Sequence, residues 1–282
     1  TINPAQKSGI FYLDRFFKIF IKFKYFKVDS FTNELCKGNP ACVVPLSEWL
    51  EDEILLKIAR ENAVSETAFF VRKKDDFYLR WFTPEIEMDL CGHATLATAH
   101  VIKNCLNYSQ NIIFFKTKSG DLKVNIDNNI YFMDFPSRVA SPSHLAEEIK
   151  LSLNIQPVEV HKSRDYLLIY KNQNDIENIT IDRTQFDQIN LGYGGVIVSS
   201  IGNSADFVSR YFTPQASILE DPVTGSAHCT LIPYWSSKLK KDTMEAIQLS
   251  ERGGQIKCQN LNERVVIGGQ AILFSFGEFY IP

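Results

Sequence analysis

The chain has 282 residues, of which 45% are hydrophobic and 12% aromatic, and its formal net charge is −3 at pH 7. This length and composition suffice for a large hydrophobic core and favour two domains over one. The slightly acidic balance predicts no general attraction to nucleic acid or to an anionic membrane. Six cysteines show neither a C-x-x-C pair nor a disulfide-framework spacing, which predicts free thiols and a cytoplasmic protein.

The N-terminal segment carries an apolar, aromatic run that Lys18, Lys22 and Lys24 interrupt. A membrane span needs about 20 consecutive apolar residues, so no span is predicted here. We interpret residues 1–24 as an extension that precedes the first domain. A basic, aromatic anchor that lies on a membrane surface is an alternative for residues 15–27.

Short β-rich runs bounded by turn residues predict the strands of the first half. These runs lie at residues 24–31, 41–46, 67–73, 77–83, 112–117, 122–126 and 130–135. A segment at 46–63 has apolar residues at helical spacing and Ser47 as a candidate cap, so it predicts a helix. The small, apolar segment at 92–104 predicts a second helix.

The second half repeats this order of elements. Helices are predicted at 145–155 and 225–240, strands at 166–171 and 194–200, and two or three antiparallel strands within 263–281.

A repeated pentapeptide supports a duplication. Arg80–Pro84 (RWFTP) reappears as Arg210–Pro214 (RYFTP), and each copy precedes an acidic loop, a glycine and a predicted helix. We predict an α+β fold of two pseudo-symmetric domains at residues 25–128 and 129–282. The C-terminal strand could return to the first of these domains.

The repeat also predicts where the two helices begin, at Gly92 and Gly225. Two such helix N-termini would face each other across an interdomain cleft. The first turn of a helix has unpaired N–H groups and a partial positive charge, so it can bind a carboxylate. We predict that the substrate binds to the backbone at Gly92, Gly225, Ala94 and Ala227, because these small residues allow it to approach closely. Two ordinary helix starts are the alternative.

Four side chains near these helix starts are candidates for catalysis: Glu66, His93, Asp221 and Ser226. Glu66 lies where a helix gives way to an apolar strand, and His93 lies in the first turn of a helix. Carboxyl and imidazole groups are suited to proton transfer. Each residue also has a structural alternative. Glu66 could bind the preceding backbone N–H groups, His93 could be a neutral structural imidazole, and Asp221 and Ser226 could be caps.

A zinc site and a dinucleotide-binding loop are two alternative interpretations of the sequence. Cys91, His93, His228 and Cys229 offer the four ligands that zinc prefers, but they lack the spacing of a finger or ribbon. The glycine-rich run at 192–195 precedes a strand, whereas a dinucleotide-binding loop follows one. We therefore predict neither a metal nor another cofactor.

Five segments together resemble the PhzF (phenazine biosynthesis-like) family, which shares its fold with diaminopimelate epimerase and proline racemase. They are residues 28–44, 61–70, 79–102, 204–235 and 248–256. The resemblance implies two similar domains, each a mostly antiparallel sheet wrapped around a central helix, with the site between them. It also implies that a homodimer is possible.

The same resemblance implies an isomerase that needs no cofactor. Glu66 would remove a proton from a carbon atom of a small carboxylate metabolite and return it elsewhere on the molecule. His93, Asp221 and Ser226 would complete the catalytic site, the last two by holding the substrate. A non-catalytic protein of the same fold that only binds a small carboxylate is the alternative.

Relatives that racemise amino acids use two opposed cysteines, one at each helix start. Here Cys91 occupies the first of these positions, and the repeat places Thr224 at the second. We therefore expect no racemisation by two cysteine bases.

Overall fold

The computed structural model of the chain describes residues 10–11, 20–74 and 76–282. The strands are β1 (Ile10–Phe11), β2 (Phe20–Ser30), β3 (Asn39–Leu46), β4 (Glu66–Lys73), β5 (Asp76–Phe82), β6 (Glu87–Met88), β7 (Ile112–Thr117), β8 (Gly120–Asp127), β9 (Ile130–Pro136), β10 (Ser141–Pro142), β11 (Glu159–Lys162), β12 (Tyr166–Ile169), β13 (Val196–Ile201), β14 (Phe207–Phe212), β15 (Thr243–Gln248), β16 (Gly254–Asn260), β17 (Arg264–Gly269) and β18 (Ala271–Ile281). The helices are α1 (Asp52–Asn62), α2 (Gly92–His100), α3 (Glu147–Ser152), α4 (Gln173–Glu177), α5 (Arg183–Phe186) and α6 (Gly225–Leu239), and a π-helical turn (Val101–Cys105) extends α2.

Strand pairing follows the same pattern in both halves. One half runs in the order β18-β2-β3-β4-β5-β7-β8-β9, and the other in the order β10-β11-β12-β13-β14-β15-β16-β17. Each half has two parallel strand pairs at equivalent places in this order. The pairs β3–β4 and β5–β7 of the first half correspond to β12–β13 and β14–β15 of the second. An antiparallel pairing of β9 with β17 joins the halves. The predicted α+β fold of two pseudo-symmetric units is confirmed.

Helices α2 and α6 form the centre of the two halves. Eight of the nine residues of α2 are buried, which is expected of a helix that is small and apolar on every side and has a sheet wrapped around it. The longer α6 is similarly buried over its first turns. One hydrophobic cluster includes residues of both helices and of the strands around them, so the two helix starts are held in a common core.

The repeated pentapeptide has the same role in each half. Arg80 in β5 makes a bidentate pair with Glu87 at 2.7 and 2.8 Å. Arg210 in β14 makes the equivalent pair with Glu220 at 2.7 and 2.8 Å. Both carboxylates belong to the acidic segment that follows the strand, so each arginine fixes the path of the chain from its strand to the central helix.

The predicted helix at 46–63 begins later than its sequence suggests. Its first residue is Asp52 and its N-cap is Glu51, so the assignment of Ser47 as the cap is wrong. The reason is tertiary packing. Trp49 and Leu50 pack against the hydrophobic cluster between α1 and the sheet, and this contact holds the preceding segment in a non-helical conformation.

Both ends of the chain contribute strands to the first half. Residues 20–24, which we assigned to an N-terminal extension, form the start of β2. The rest of that extension, apart from residues 10–11, lies outside the described residues. The C-terminal strand β18 pairs with β2 and so returns to the first half. The domain limits at 128 and 129 stay a prediction, because the sheet continues from one half into the other.

In the described part of the chain, no helix is long and apolar enough to cross a membrane. The segment considered as a surface anchor contributes residues 20–27 to β2. All six cysteines are unpaired, as their spacing predicted.

Candidate active site

The N-termini of α2 and α6 lie against each other. A Cβ atom added to Gly92 would lie 3.4 Å from the Cα of Gly225, and the reverse distance is the same. The N-cap residues Cys91 and Thr224 adopt extended backbone conformations, and neither makes a side-chain capping bond. Each helix therefore presents first-turn N–H groups that are not capped, and their partial positive charges converge.

Glu66 and His93 form a close pair beside this junction. Glu66 is the first residue of β4 and His93 is the second residue of α2. Nε2 of His93 lies 3.1 Å from Oε2 of Glu66, with side-chain exposures of 5% and 14%. Both atoms are buried, and neither makes a hydrogen bond of good geometry among the described residues. Such a pair keeps unused donor and acceptor capacity for another molecule.

The other ring nitrogen of His93 lies among polar groups as well. Nδ1 is 3.6 Å from Sγ of Cys91 and 3.2 Å from the side-chain amide nitrogen of Asn39. Burial disfavours the charged imidazolium, whereas the Cys91 sulfur and the Glu66 carboxylate favour it and together raise the pKa of His93 well above its usual value. A charged His93 in turn favours the ionised form of the neighbouring carboxyl groups.

Asn39 links the two halves at this site. Its buried amide donates to Oδ1 of Asp221 at 2.7 Å and to the carbonyl oxygen of Val223 at 2.9 Å. Its own Oδ1 accepts from the hydroxyl of Ser65 at 3.3 Å. Asn39 is not among the residues that the sequence predicts for the site. A short polar side chain at the start of a strand gives no sign that it will bridge residues 182 positions apart.

Asp221 lies on the second-half side of this network. Its Oδ2 accepts from the hydroxyl of Thr224 at 2.6 Å. Burial raises the pKa of Asp221 to about 6, and the Glu66 carboxylate adds to this rise while His93 opposes it. The buried amide of Gln248 binds both the carbonyl oxygen of Asp221 and the backbone N–H of Thr224. Asp221 is therefore held rigidly and titrates near neutral pH.

Ser226 occupies a separate part of the junction. Its hydroxyl accepts a hydrogen bond from Nη2 of Arg164 at 3.0 Å. Within the described residues it makes no hydrogen bond to Glu66, His93 or Asp221. The structure thus brings three of the predicted side chains into one connected group. It places the fourth beside an arginine that was not predicted from the sequence.

The small residues after the two glycines are part of the core. Ala94 is fully buried and Ala227 is 1% exposed. Their predicted contact with substrate therefore concerns the backbone of the first helical turn, and it stays a prediction.

The two N-cap positions also determine which bases are available. Cys91 and Thr224 are equivalent, as the repeat predicted. Cys91 is buried, and this burial raises the pKa of its thiol. A thiol on one side and a hydroxyl on the other do not provide the two opposed thiolates that cysteine-dependent racemisation requires.

A metal site of four N/S ligands is not assembled here. In the described chain, the potential ligands that lie within 4.8 Å of one another are Glu66, Cys91 and His93. His228 instead lies 2.9 Å from the carbonyl oxygen of Thr224 through Nδ1. The imidazole of His93 separates the other two groups, because each lies near a different ring nitrogen. One ion cannot bind both nitrogens, so these three residues would have to rearrange to share it.

A cavity of about 420 Å³ lies on an adjacent surface. Its lining includes Phe31, Glu34, Lys37 and Arg252, but none of the four predicted catalytic residues. Phe31 also packs near Gly225, where its Cζ would be 3.8 Å from an added Cβ. The cavity is thus a neighbour of the helix junction and not the site itself.

Comparisons with known proteins agree with this architecture. The family described as phenazine biosynthesis-like protein matches residues 28–277. An uncharacterized isomerase of Pseudomonas aeruginosa is 42% identical over 256 residues, which cover 91% of this chain and 98% of that protein. The human phenazine biosynthesis-like domain-containing protein is 36% identical over 84% of this chain and 91% of its own length.

Solved structures show the same relationship. A PhzF-family protein of Enterococcus faecalis is 43% identical with a TM-score of 0.88, and the match covers 92% of this chain and all of that one. A hydroxyproline epimerase of Agrobacterium vitis is only 8% identical, covers 92% of this chain and 93% of its own, and has a TM-score of 0.62, which shows a shared fold alone. The chain belongs to the phenazine biosynthesis-like (PhzF) family, whose members include proteins named as isomerases.

Proposed function

We propose that the protein is an isomerase that moves a proton between two atoms of a small carboxylate metabolite without a cofactor. The substrate would bind in a cleft between the two halves, at the junction of α2 and α6. The observation that carries this proposal is the 3.1 Å contact between Glu66 and His93. It combines a carboxylate base with a neighbouring cation next to two converging helix N-termini.

Each group has a distinct role in the proposed reaction. Glu66 accepts a proton from a substrate carbon, and the electron pair of that C–H bond moves into the conjugated system of the substrate. The negative charge that develops is stabilised by the first-turn N–H groups of α2 and α6. Glu66 then returns the proton to another carbon on the same face, so atoms and charge balance. His93 lies 3.1 Å from the Glu66 carboxyl group and is placed to interact with it during the proton transfer.

Asp221 and Asn39 have positioning roles in this scheme. Asn39 holds Asp221 by a hydrogen bond of 2.7 Å, and its amide nitrogen also lies 3.2 Å from Nδ1 of His93. Asp221 has a pKa of about 6, so it can accept a hydrogen bond from the substrate in its ionised form or donate one in its protonated form near neutral pH. Its assigned role is to hold the substrate.

The proposal is tested by exchange of solvent deuterium. Small carboxylates are incubated with the protein in D₂O, and incorporation is followed by mass spectrometry. For any compound that exchanges, Glu66→Gln should lower the rate at least about 100-fold, because glutamine cannot accept the proton. Glu61→Gln is a matched control at an exposed position of α1, and it should exchange at the wild-type rate.

Two results would decide against the proposal. Exchange by Glu66→Gln at the wild-type rate would show that Glu66 is not the base. Thermal stabilisation by a carboxylate that shows no exchange with any variant would instead support a non-catalytic binding protein of the same fold.

A further inference from the structure

The second half has no counterpart of Glu66. Thr67 pairs with Phe82 of the first pentapeptide, and Val196 pairs with Phe212 of the second. Glu66 and Gly195 directly precede these two strand residues, so they occupy equivalent positions. A Cβ atom at Gly195 would lie 2.5 Å from Cζ of Tyr211, so no side chain fits there. The second half must therefore contribute different chemistry to the helix junction.

Arg164 provides a charged group on that side. Its Nη2 donates to the hydroxyl of Ser226 at 3.0 Å, and Ser226 is the second residue of α6 as His93 is of α2. Arg164 thus contacts the residue of α6 that is equivalent to His93 of α2. The Arg164 side chain keeps 28% of its surface exposed, so solvent and small molecules can reach it.

A buried carboxylate fixes the orientation of this guanidinium group. Asp165 is fully buried and accepts from Nε and Nη2 of Arg164 at 3.2 and 2.9 Å. It also accepts from the hydroxyl of Tyr211 at 3.1 Å and the backbone N–H of Gly195 at 2.9 Å. Nη1 of Arg164 makes no hydrogen bond within the described chain. One end of a rigidly held guanidinium group therefore remains available as a donor.

We propose that Arg164 binds a carboxylate of the substrate, together with Ser226 and the first turn of α6, and thereby selects anionic substrates. This inference rests on the proposed function for the location of the site. A guanidinium group is planar, permanently charged and well matched to a carboxylate. Binding the anionic group beside Arg164 also keeps it away from Glu66, whose negative charge would otherwise repel it, and so orients the substrate carbon toward the base.

The test compares two probes of the same shape. Binding of 4-fluorobenzoate and of neutral 4-fluorobenzamide is measured by ¹⁹F NMR titration. The wild-type protein should bind the carboxylate more tightly than the amide. Arg164→Gln should weaken binding of the carboxylate at least about tenfold, as expected for the loss of a charged hydrogen bond, and leave binding of the amide unchanged.

Two further variants make the result interpretable. Arg164→Gln leaves the buried Asp165 without its counter-charge and could disturb folding. The double variant Arg164→Gln/Asp165→Asn removes both charges together and should show the same loss of carboxylate binding. Arg264→Gln removes an equal charge from an exposed pair with Asp134, and it should bind both probes as the wild type does.

Two outcomes would overturn the assignment. One is equal affinity of the wild-type protein for the two probes, or no binding of the carboxylate at all. The other is an unchanged carboxylate affinity in the folded double variant. The proposed function fails separately. If Glu66→Gln still exchanges deuterium while Arg164→Gln loses carboxylate binding, only the proton-transfer role is refuted.

Discussion

The replacement of Asp221 by asparagine tests the electrostatics of the site without knowledge of the substrate. The side chain keeps its size and can still accept from Asn39, but it cannot titrate. In the wild-type protein, burial raises the pKa of Asp221 from 3.8 to about 6. We therefore expect Asp221→Asn to change how stability depends on pH.

The sign and size of the effect follow from proton linkage. A carboxyl group with a raised pKa in the folded state binds its proton more tightly when folded. Its contribution to stability is complete below pH 3.8 and is lost as the pH rises through about 6. The rise corresponds to roughly 3 kcal/mol at about 1.36 kcal/mol per pH unit. Asp221 is half-buried, and screening by solvent reduces the expected loss to about 1–2 kcal/mol.

The assay is urea unfolding of wild-type protein and Asp221→Asn between pH 4 and pH 8. Burial also lowers the pKa values of His100 and His228 to about 4. These two groups therefore decrease the stability of the folded protein as the pH falls, whereas Asp221 decreases it as the pH rises. The difference between variant and wild type removes the contributions of these two histidines from the pH dependence. That difference should move by about 1–2 kcal/mol in favour of the variant as the pH rises.

A matched substitution at the exposed end of β8, Asp127→Asn, should follow the wild-type curve at every pH. If the difference between Asp221→Asn and wild type is the same at pH 4 and pH 8, the carboxyl group is not desolvated as described. The electrostatic account of the site would then be incorrect.

Two further substitutions test the supporting structure. Gly38→Ala places a Cβ 2.1 Å from the carbonyl oxygen of Ser30 at a φ of +63°, so we expect a loss of at least about 2 kcal/mol in urea unfolding. Gly192→Ala at a φ of +59° with no neighbour within 4 Å should lose only about 1 kcal/mol, and equal losses would contradict the steric argument. Cys91→Ala should retain deuterium exchange within about tenfold of wild type, because a buried thiol of raised pKa is a poor base. Complete loss of exchange in a folded Cys91→Ala protein would point to a catalytic thiol.

Much of the fold could be predicted from local patterns. The strands of the first half and the beginnings of α2 and α6 are specified by residues close together in the chain, such as the glycine that opens each helix. The start of α1 could not be predicted in this way. Ser47 is a good local cap, but Trp49 and Leu50 pack against a cluster that includes Phe69 of β4 and Phe82 of β5, and the helix begins only at Asp52.

The site was only partly predictable for the same reason. Glu66 and His93 are found from their positions beside predicted element boundaries. Asn39, Gln248 and Arg164 act through contacts with residues far away in sequence, at separations of 182, 24 and 62 positions. Such contacts depend on how the two halves pack together, and a single sequence does not report that packing.

The two halves share their framework and differ where chemistry is proposed. The paired arginine and glutamate beside each pentapeptide and the glycine at each helix start occur in both halves. The residues around the junction are different, with Glu66, His93 and Cys91 on one side and Gly195, Ser226 and Thr224 on the other.

This asymmetry restricts the reaction. Inversion of a carbon centre requires a base on each face of the substrate, and two equivalent halves would supply them. A single carboxylate can remove a proton from one face only and must return it to that face. An anion-binding group in the other half then has a distinct purpose, because it fixes which face of the substrate meets Glu66. Under the proposed function, the products should therefore retain the deuterium on the face from which the proton was removed.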